Sequence, residues 1–121
     1  MHGTIGHVEV LGEDPAPLRD FYSAVFGWQV GPVEEDDPEQ LEYSMIRIED
    51  RPDGVSAGIG RRPDAYLPVT FYVRVDDIEV ALAGIEARGG RTVTSRKTVG
   101  PGVSIARFAD PAGNVVGLLQ R

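Results

Sequence analysis

The chain has 121 residues, 41% of them hydrophobic, which suffices for one continuous core and is too short for two independent ones. It contains no cysteine, so disulfides, a thiolate nucleophile and a zinc–cysteine site are excluded. A formal net charge of -7 argues against nucleic acid, whose phosphates demand a basic face, and no stretch approaches the roughly 18 apolar residues of a membrane span.

The opening segment, "MHGTIGHVEV", shows neither a basic leader nor an apolar signal core, and the expectation is a soluble, cytoplasmic protein. Within it "IGHVEVL" (5–11) reads as a strand. In "EDPAPLRDFYSAVFG", Asp14 suits a helix N-cap, Pro15 the first turn and Gly27 the stop. Leu18, Phe21, Tyr22, Val25 and Phe26 recur at helical spacing and are expected to be core. Strand-like "WQVGPV", "YSMIRIE" and "VSAGIG" follow, separated by the acidic run "VEEDDPEQLE" (33–42), which reads as a solvated loop.

The order then recurs. "VTFYVRV" (69–75) is a strand, "DDIEVALAGIEARGG" a helix with Asp76 and Glu79 as a capping box and Gly89-Gly90 as its end, and "RTVTS", "VSIARFA" and "NVVGLLQ" are strands. His7 to Thr70, Asp14 to Asp77, Gly27 to Gly90 and Val30 to Val93 all differ by 63 positions, an offset that runs through strand, cap, helix stop and next strand. The reading is one α+β domain over 1–121 built from two βαβββ modules, about 1–62 and 66–121. The segment "SRKTVGPGVS" (95–104) reads as a loop carrying Arg96 and Lys97, either a lid that meets an anion or a plain connector.

The doubled βαβββ order, the helix "LRDFYSAVFGWQV", the segment "VDDIEVALAGIEARGGRTV" and the turn "FADPAGNVVGL" resemble the vicinal oxygen chelate superfamily, which includes glyoxalases, bleomycin-resistance proteins, extradiol dioxygenases and methylmalonyl-CoA epimerase. The resemblance covers nearly the whole chain. It implies two modules whose sheets curl into an open, U-shaped cavity, paired in a homodimer. It also implies where a metal would be held, since similar metalloenzymes take one ligand from the first strand and one from the last strand of each module. Those positions here are His7, Thr70, Gly58 and Gly117, and only His7 suits a divalent ion. Catalytic members commonly carry a carboxylate three residues after the Asn of the "DPxGN" turn, where this chain has Gly117. No metal and no cofactor is expected, and the "GG" at 89–90 follows a helix and so cradles no phosphate.

Strand alternation groups His7 with Glu9, Ser56 with Gly58, Thr70 with Tyr72 and Arg74, and Gly117 with Leu119 on the cavity face. Gly58 and Gly117 are expected to enlarge the pocket, with Tyr72, Trp28 and Tyr43 presenting aromatic surface to a ligand. His7 is either a hydrogen-bonded histidine of the fold or a ligand contact, Trp28 is either core or site, and "DPAGN" is a hairpin turn. Two functions remain: a metal-independent binder of the bleomycin-resistance kind that sequesters or carries an antibiotic or metabolite, and a metal-independent isomerase, lyase or cyclase with His7 and Glu9 as acid–base pair. A metal-dependent lyase or dioxygenase would need ligands from elsewhere. The partners expected are a small molecule and a second copy of the chain, with neither nucleic acid nor membrane.

Overall fold

The computed structural model describes residues 3–47, 55–63 and 68–121. Its elements run β1 (Thr4–Gly12), α1 (Pro15–Phe26), β2 (Gln29–Val33), β3 (Ser44–Arg47), β4 (Ser56–Arg61), β5 (Val69–Arg74), α2 (Ile78–Ala87), β6 (Arg91–Gly100), β7 (Val103–Ala109) and β8 (Val115–Gln120). This is βαβββ twice, an α+β fold. The chain forms two compact units, one of His7–Val69 and one of Thr70–Arg121 with the first residues through Gly6. The remainder of predicted "YSMIRIE" beyond Arg47 lies outside the described residues, and no described helix is long and apolar enough to cross a membrane.

In the His7–Val69 unit the strands lie in the order β2-β3-β4-β1. Only the β1–β4 pair is parallel, in a register that sets His7 opposite Ser56 and Glu9 opposite Gly58. The face beneath α1 is apolar, with Ile46, Ala57 and Ile59 buried and Val10, Leu18, Tyr22, Trp28 and Val30 packed on them. Asp14 caps α1 by accepting from the Ala16 N–H, Pro15 occupies the first turn, and Gly27 stops the helix at φ 68°, where a Cβ is disfavoured.

The expected core stripe of α1 is only partly buried. Leu18 and Tyr22 reach the core, but Phe21, Val25 and Phe26 remain 54%, 57% and 60% exposed. The cause is geometric: one helix on one sheet face can bury about 100° of its circumference, and this apolar stripe is wider. Tyr22 stacks on Trp28 with ring centroids 4.9 Å apart, and Phe26 stacks on Tyr22 at 6.0 Å, so exposed Phe26 continues a half-buried aromatic row.

In the Thr70–Arg121 unit the order is β5-β8-β7-β6, with β5 and β8 parallel and Tyr72 opposite Gly117. Val75, Ile78, Leu82, Ala106 and Leu118 form the core under α2. The N-cap of α2 is Asp77, whose carboxylate accepts from the Val80 N–H, and not the Asp76–Glu79 box expected from sequence. A second orphan donor at this end, the Ile78 N–H, is satisfied from the last strand by Gln120 Oε1 at 2.8 Å.

The segment read as a loop at 95–104 is a hairpin. Strand β6 continues through Arg96 and Lys97 to Gly100, bulged at three places, and Lys97 lies opposite Ile105. Alternation in "RKTVG" is too weak to mark a strand, and pairing with β7 supplies what local pattern does not.

"DPAGN" is a turn built on Asp110. Its carboxylate accepts from the backbone N–H of Ala112 and Asn114 and from the Asn114 side chain, and Gly113 sits at φ 90°. The Asn114 side chain first and its backbone second hold the Asp110 carboxyl below its ordinary value, with lesser help from the Ala112 and Gly113 backbone, against an opposing effect of desolvation that is smaller than either Asn114 contribution. A carboxyl lowered in the folded state stabilises above its unfolded pKa and loses that contribution as pH falls through the folded value. Asn114→Ala is therefore expected to be less stable than wild type near neutrality, the gap narrowing as pH falls from about 6 to about 2; urea midpoints across that range check it.

Candidate functional site

The site begins with the acidic segment between β2 and β3, which is less a solvated run than a shaped arm. Asp37 closes a turn by accepting from the N–H groups of Glu39 and Leu41, both at 2.9 Å. Leu41 is buried, and Arg61 donates to the Gln40 carbonyl at 2.8 Å. Gln40 and Glu42 both take left-handed backbone, at φ 54° and 50°, which is uncommon for residues with side chains and persists only where the surroundings enforce it. Burial, and secondarily the Asp37 carboxylate, raises the Glu34 carboxyl above its ordinary value. These constraints set the next residue, Tyr43, whose carbonyl accepts from the Glu34 N–H at 2.8 Å.

Tyr43 lies over Gly58, where a Cβ would overlap its ring. His7 and Glu9, two apart on β1, point to the same side of the sheet, away from α1. The result is a continuous polar line. The Tyr43 hydroxyl donates to Glu9 Oε1 at 3.1 Å and lies 2.6 Å from His7 Nε2, while His7 Nδ1 lies 2.6 Å from Ser56 Oγ. Glu9 is 2% exposed, whereas His7, Tyr43 and Ser56 are half-buried. Of the residues singled out from sequence, this unit thus brings together His7, Glu9, Tyr43, Ser56 and Gly58. Trp28 is not among them, since it packs on the opposite, α1 face.

The Thr70–Arg121 unit repeats the device with other chemistry. Tyr72, on β5, lies over Gly117, and a Cβ there would overlap its ring. The Tyr72 hydroxyl accepts from Arg107 Nη2 at 2.8 Å, with the guanidinium carbon 5.8 Å from the ring centroid. Tyr72, Ile105 and Leu119 form a buried cluster here. Thr70 Oγ1 donates to the Val115 carbonyl at 3.0 Å, and Arg74 is exposed. Arg107 escaped the sequence reading although it is 3% exposed. Its signal was a lone cation at the centre of the apolar strand "VSIARFA".

The two glycines therefore open no space, because a tyrosine ring fills the volume of each missing side chain. The same fact decides the fit of a metal. In the first unit Gly58 offers no donor and both His7 nitrogens are engaged by Tyr43 and Ser56. In the second Gly117 offers none and the Thr70 hydroxyl is committed to a carbonyl. Among the described residues no group of three or more His, Cys, Asp or Glu side chains could hold an ion. A divalent ion wants several such donors, and the residues at these positions do not fit one.

Two βαβββ units, each with its first strand parallel to its last and a helix on one face, define a class of α+β protein made by repetition of one module. The chain belongs to the Glyoxalase/Bleomycin resistance protein/Dioxygenase superfamily, whose model matches residues 4–118. It is 27% identical over 125 residues, spanning 100% of this chain and 96% of the relative, to a glyoxylase-like domain-containing protein of Didymella fabae. A methylmalonyl-CoA epimerase variant of Streptomyces coelicolor, in complex with 2-nitronate-propionyl-CoA, matches with a TM-score of 0.70 at 20% identity over 96% of this chain and 95% of that one. A superfamily member from Vibrio splendidus matches with a TM-score of 0.63 at 16% identity over 99% of this chain and 100% of that one. At these identities the solved structures share the fold.

If Tyr43 occupies the Gly58 position for steric reasons, Gly58→Ala should destabilise the chain by about 1–3 kcal/mol, the cost of overpacking a filled site. In a Tyr43→Ala background the same substitution should cost little. The cycle is read by denaturant unfolding, and the parallel cycle of Gly117→Ala with Tyr72→Ala should behave alike.

Proposed function

We propose that this is a metal-independent small-molecule-binding protein, the ligand meeting the polar line Ser56–His7–Tyr43 on the sheet face opposite α1. The observation that carries the reading is the engagement of both His7 nitrogens by side chains, with a buried carboxylate behind them. A histidine so held is a directional hydrogen-bonding group in place of a metal ligand. A half-buried surface with a few fixed polar groups suits recognition of a small organic molecule. Sequestration or carriage of an antibiotic or metabolite, the bleomycin-resistance mode, is the function this supports.

The continuity of the line favours a second reading, a metal-independent isomerase, lyase or cyclase in which His7 and Glu9 move protons. Native mass spectrometry of freshly purified protein tests the shared part, with a retained small-molecule adduct that is depleted in His7→Ala as the expected result. A chain that retains no adduct and binds no member of a metabolite panel, methylmalonyl-CoA included, contradicts it. Against a ligand so found, the binder reading predicts that His7→Ala costs about 0.5–1.5 kcal/mol of affinity. The enzyme reading predicts a loss of turnover of roughly 100-fold or more with binding retained.

The proposal includes a homodimer formed through α1. Phe21, Val25 and Phe26 give that helix an exposed apolar patch, which the same patch of a second copy would cover by two-fold pairing. Light scattering should report twice the chain mass at micromolar concentration, and Phe26→Asp should return the mass of one chain. A wild type that runs as a single chain throughout contradicts the dimer.

A further inference from the structure

We propose that the groove between α2 and the sheet of the Thr70–Arg121 unit is a second binding site, for a free aromatic α-amino acid whose ring lies in the groove while its carboxylate meets Arg88 and its ammonium meets Asp110. Ser56, His7 and Tyr43 do not line this groove, so it is a site beyond the polar line.

The groove exists because α2 covers its core incompletely. It holds about 520 Å³, within the roughly 300–1,000 Å³ of small-molecule sites. Its apolar lining is Val73, Val75, Ala81, Ile85, Phe108 and Leu118, side chains that also make the core of this unit. Gly84 keeps it open. This residue stands inside α2, where glycine is the poorest helix former apart from proline, and a Cβ built on it would meet nothing within 4 Å. Alanine would hold the helix better, and the open space makes no steric demand for glycine.

The first unit shows what such a space takes. By the offset of 63 positions, Ala81, Gly84 and Ile85 correspond to Leu18, Phe21 and Tyr22, and Arg91 corresponds to Trp28. Under α1, Leu18, Tyr22 and Trp28 pack on the core, with the Tyr22 and Trp28 rings stacked 4.9 Å apart. The second unit has isoleucine and arginine at those two positions. The volume that rings fill beneath α1 is left beneath α2 to the ring of a ligand.

Charge decides the rest of the occupant. Arg88 ends α2 and Asp110 opens the "DPAGN" turn, and both line one end of the groove, since a Cβ on Gly89 would lie 3.9 Å from Pro111 Cγ. The Arg88 side chain makes no hydrogen bond or ion pair with any described residue. Asp110 Oδ1 accepts from two backbone N–H groups, while Oδ2 accepts from the Asn114 side chain and has a second lone pair to offer. A lone anion at this end would be repelled by Asp110 and a lone cation by Arg88. A molecule carrying one of each satisfies both, and an α-amino acid carries them on a single carbon.

Methyl ¹H–¹³C spectra of the whole chain, titrated with L-tryptophan, test this at the groove itself. Wild type should show saturable shifts at the Ala81 and Ile85 methyls. Tryptamine, which lacks the carboxylate, and indole-3-propionate, which lacks the ammonium, should each bind at least about fivefold more weakly, because one partner is lost and the remaining charge is repelled. Gly84→Leu should have a thermal midpoint no lower than wild type, leucine being the better helix former, and should weaken tryptophan by about tenfold or more. Arg88→Gln should weaken tryptophan and, by removing the repulsion, strengthen tryptamine. Wild type without saturable shifts at Ala81 and Ile85 overturns the proposal, as does equal binding of the three probes or an unchanged affinity in Gly84→Leu. If Gly84→Leu does not fold, the probe series and Arg88→Gln decide by themselves.

Discussion

The seating of a tyrosine ring on a glycine of the last strand is the contact on which the rest of this structure depends. In the first unit the ring is Tyr43 on Gly58, and in the second Tyr72 on Gly117. Glycine at these positions is a matter of space, since neither takes a positive φ. Removing the side chain opposite the first strand lets a ring lie flat against the sheet, and its hydroxyl then reaches a neighbouring polar group. From Tyr43 that group is the Glu9–His7 pair, and from Tyr72 it is Arg107. The superfamily's fold is thus realised here with a tyrosine ring over a glycine in the last strand of each unit.

Such an arrangement is costly to build. A carboxyl group with 2% exposure is tolerable only when its oxygens are hydrogen-bonded, and Tyr43 supplies one such bond. Holding Tyr43 there requires left-handed backbone at Gln40 and Glu42, which carries strain of order 1 kcal/mol each, offset by the Asp37 turn, the buried Leu41 and the Arg61 contact to Gln40. Strain stored beside a buried ionisable group is characteristic of functional surfaces, where local stability gives way to positioning.

Most of the fold was legible because its determinants are local. Asp14, Pro15 and Gly27 bound α1 by capping and backbone rules, "DPAGN" is a turn because Asp110 and Gly113 supply what a turn requires, and the offset of 63 positions exposed the repetition. The features that were missed are non-local. That Tyr43 fills the space over Gly58 depends on a loop whose course no periodicity encodes. The burial of Arg107 depends on Tyr72, 35 positions away. Alternation placed His7 and Glu9 on one face, but register decides that Ser56 faces His7 and that Glu9, not His7, lies opposite Gly58. The exposed stripe of α1 was misread for a further reason, because helical spacing shows that a face is apolar and not what covers it.

The central claim is that His7 is held by hydrogen bonds in a site whose glycines have been filled, and not by a metal. Titration with Co²⁺, followed by its visible absorption and by the paramagnetic broadening of the His7 ring resonances, tests it most directly. The account predicts that one equivalent of Co²⁺ leaves the His7 signals sharp, with no saturable ligand-field band. A 1:1 complex that broadens His7 and is abolished in His7→Ala would contradict it.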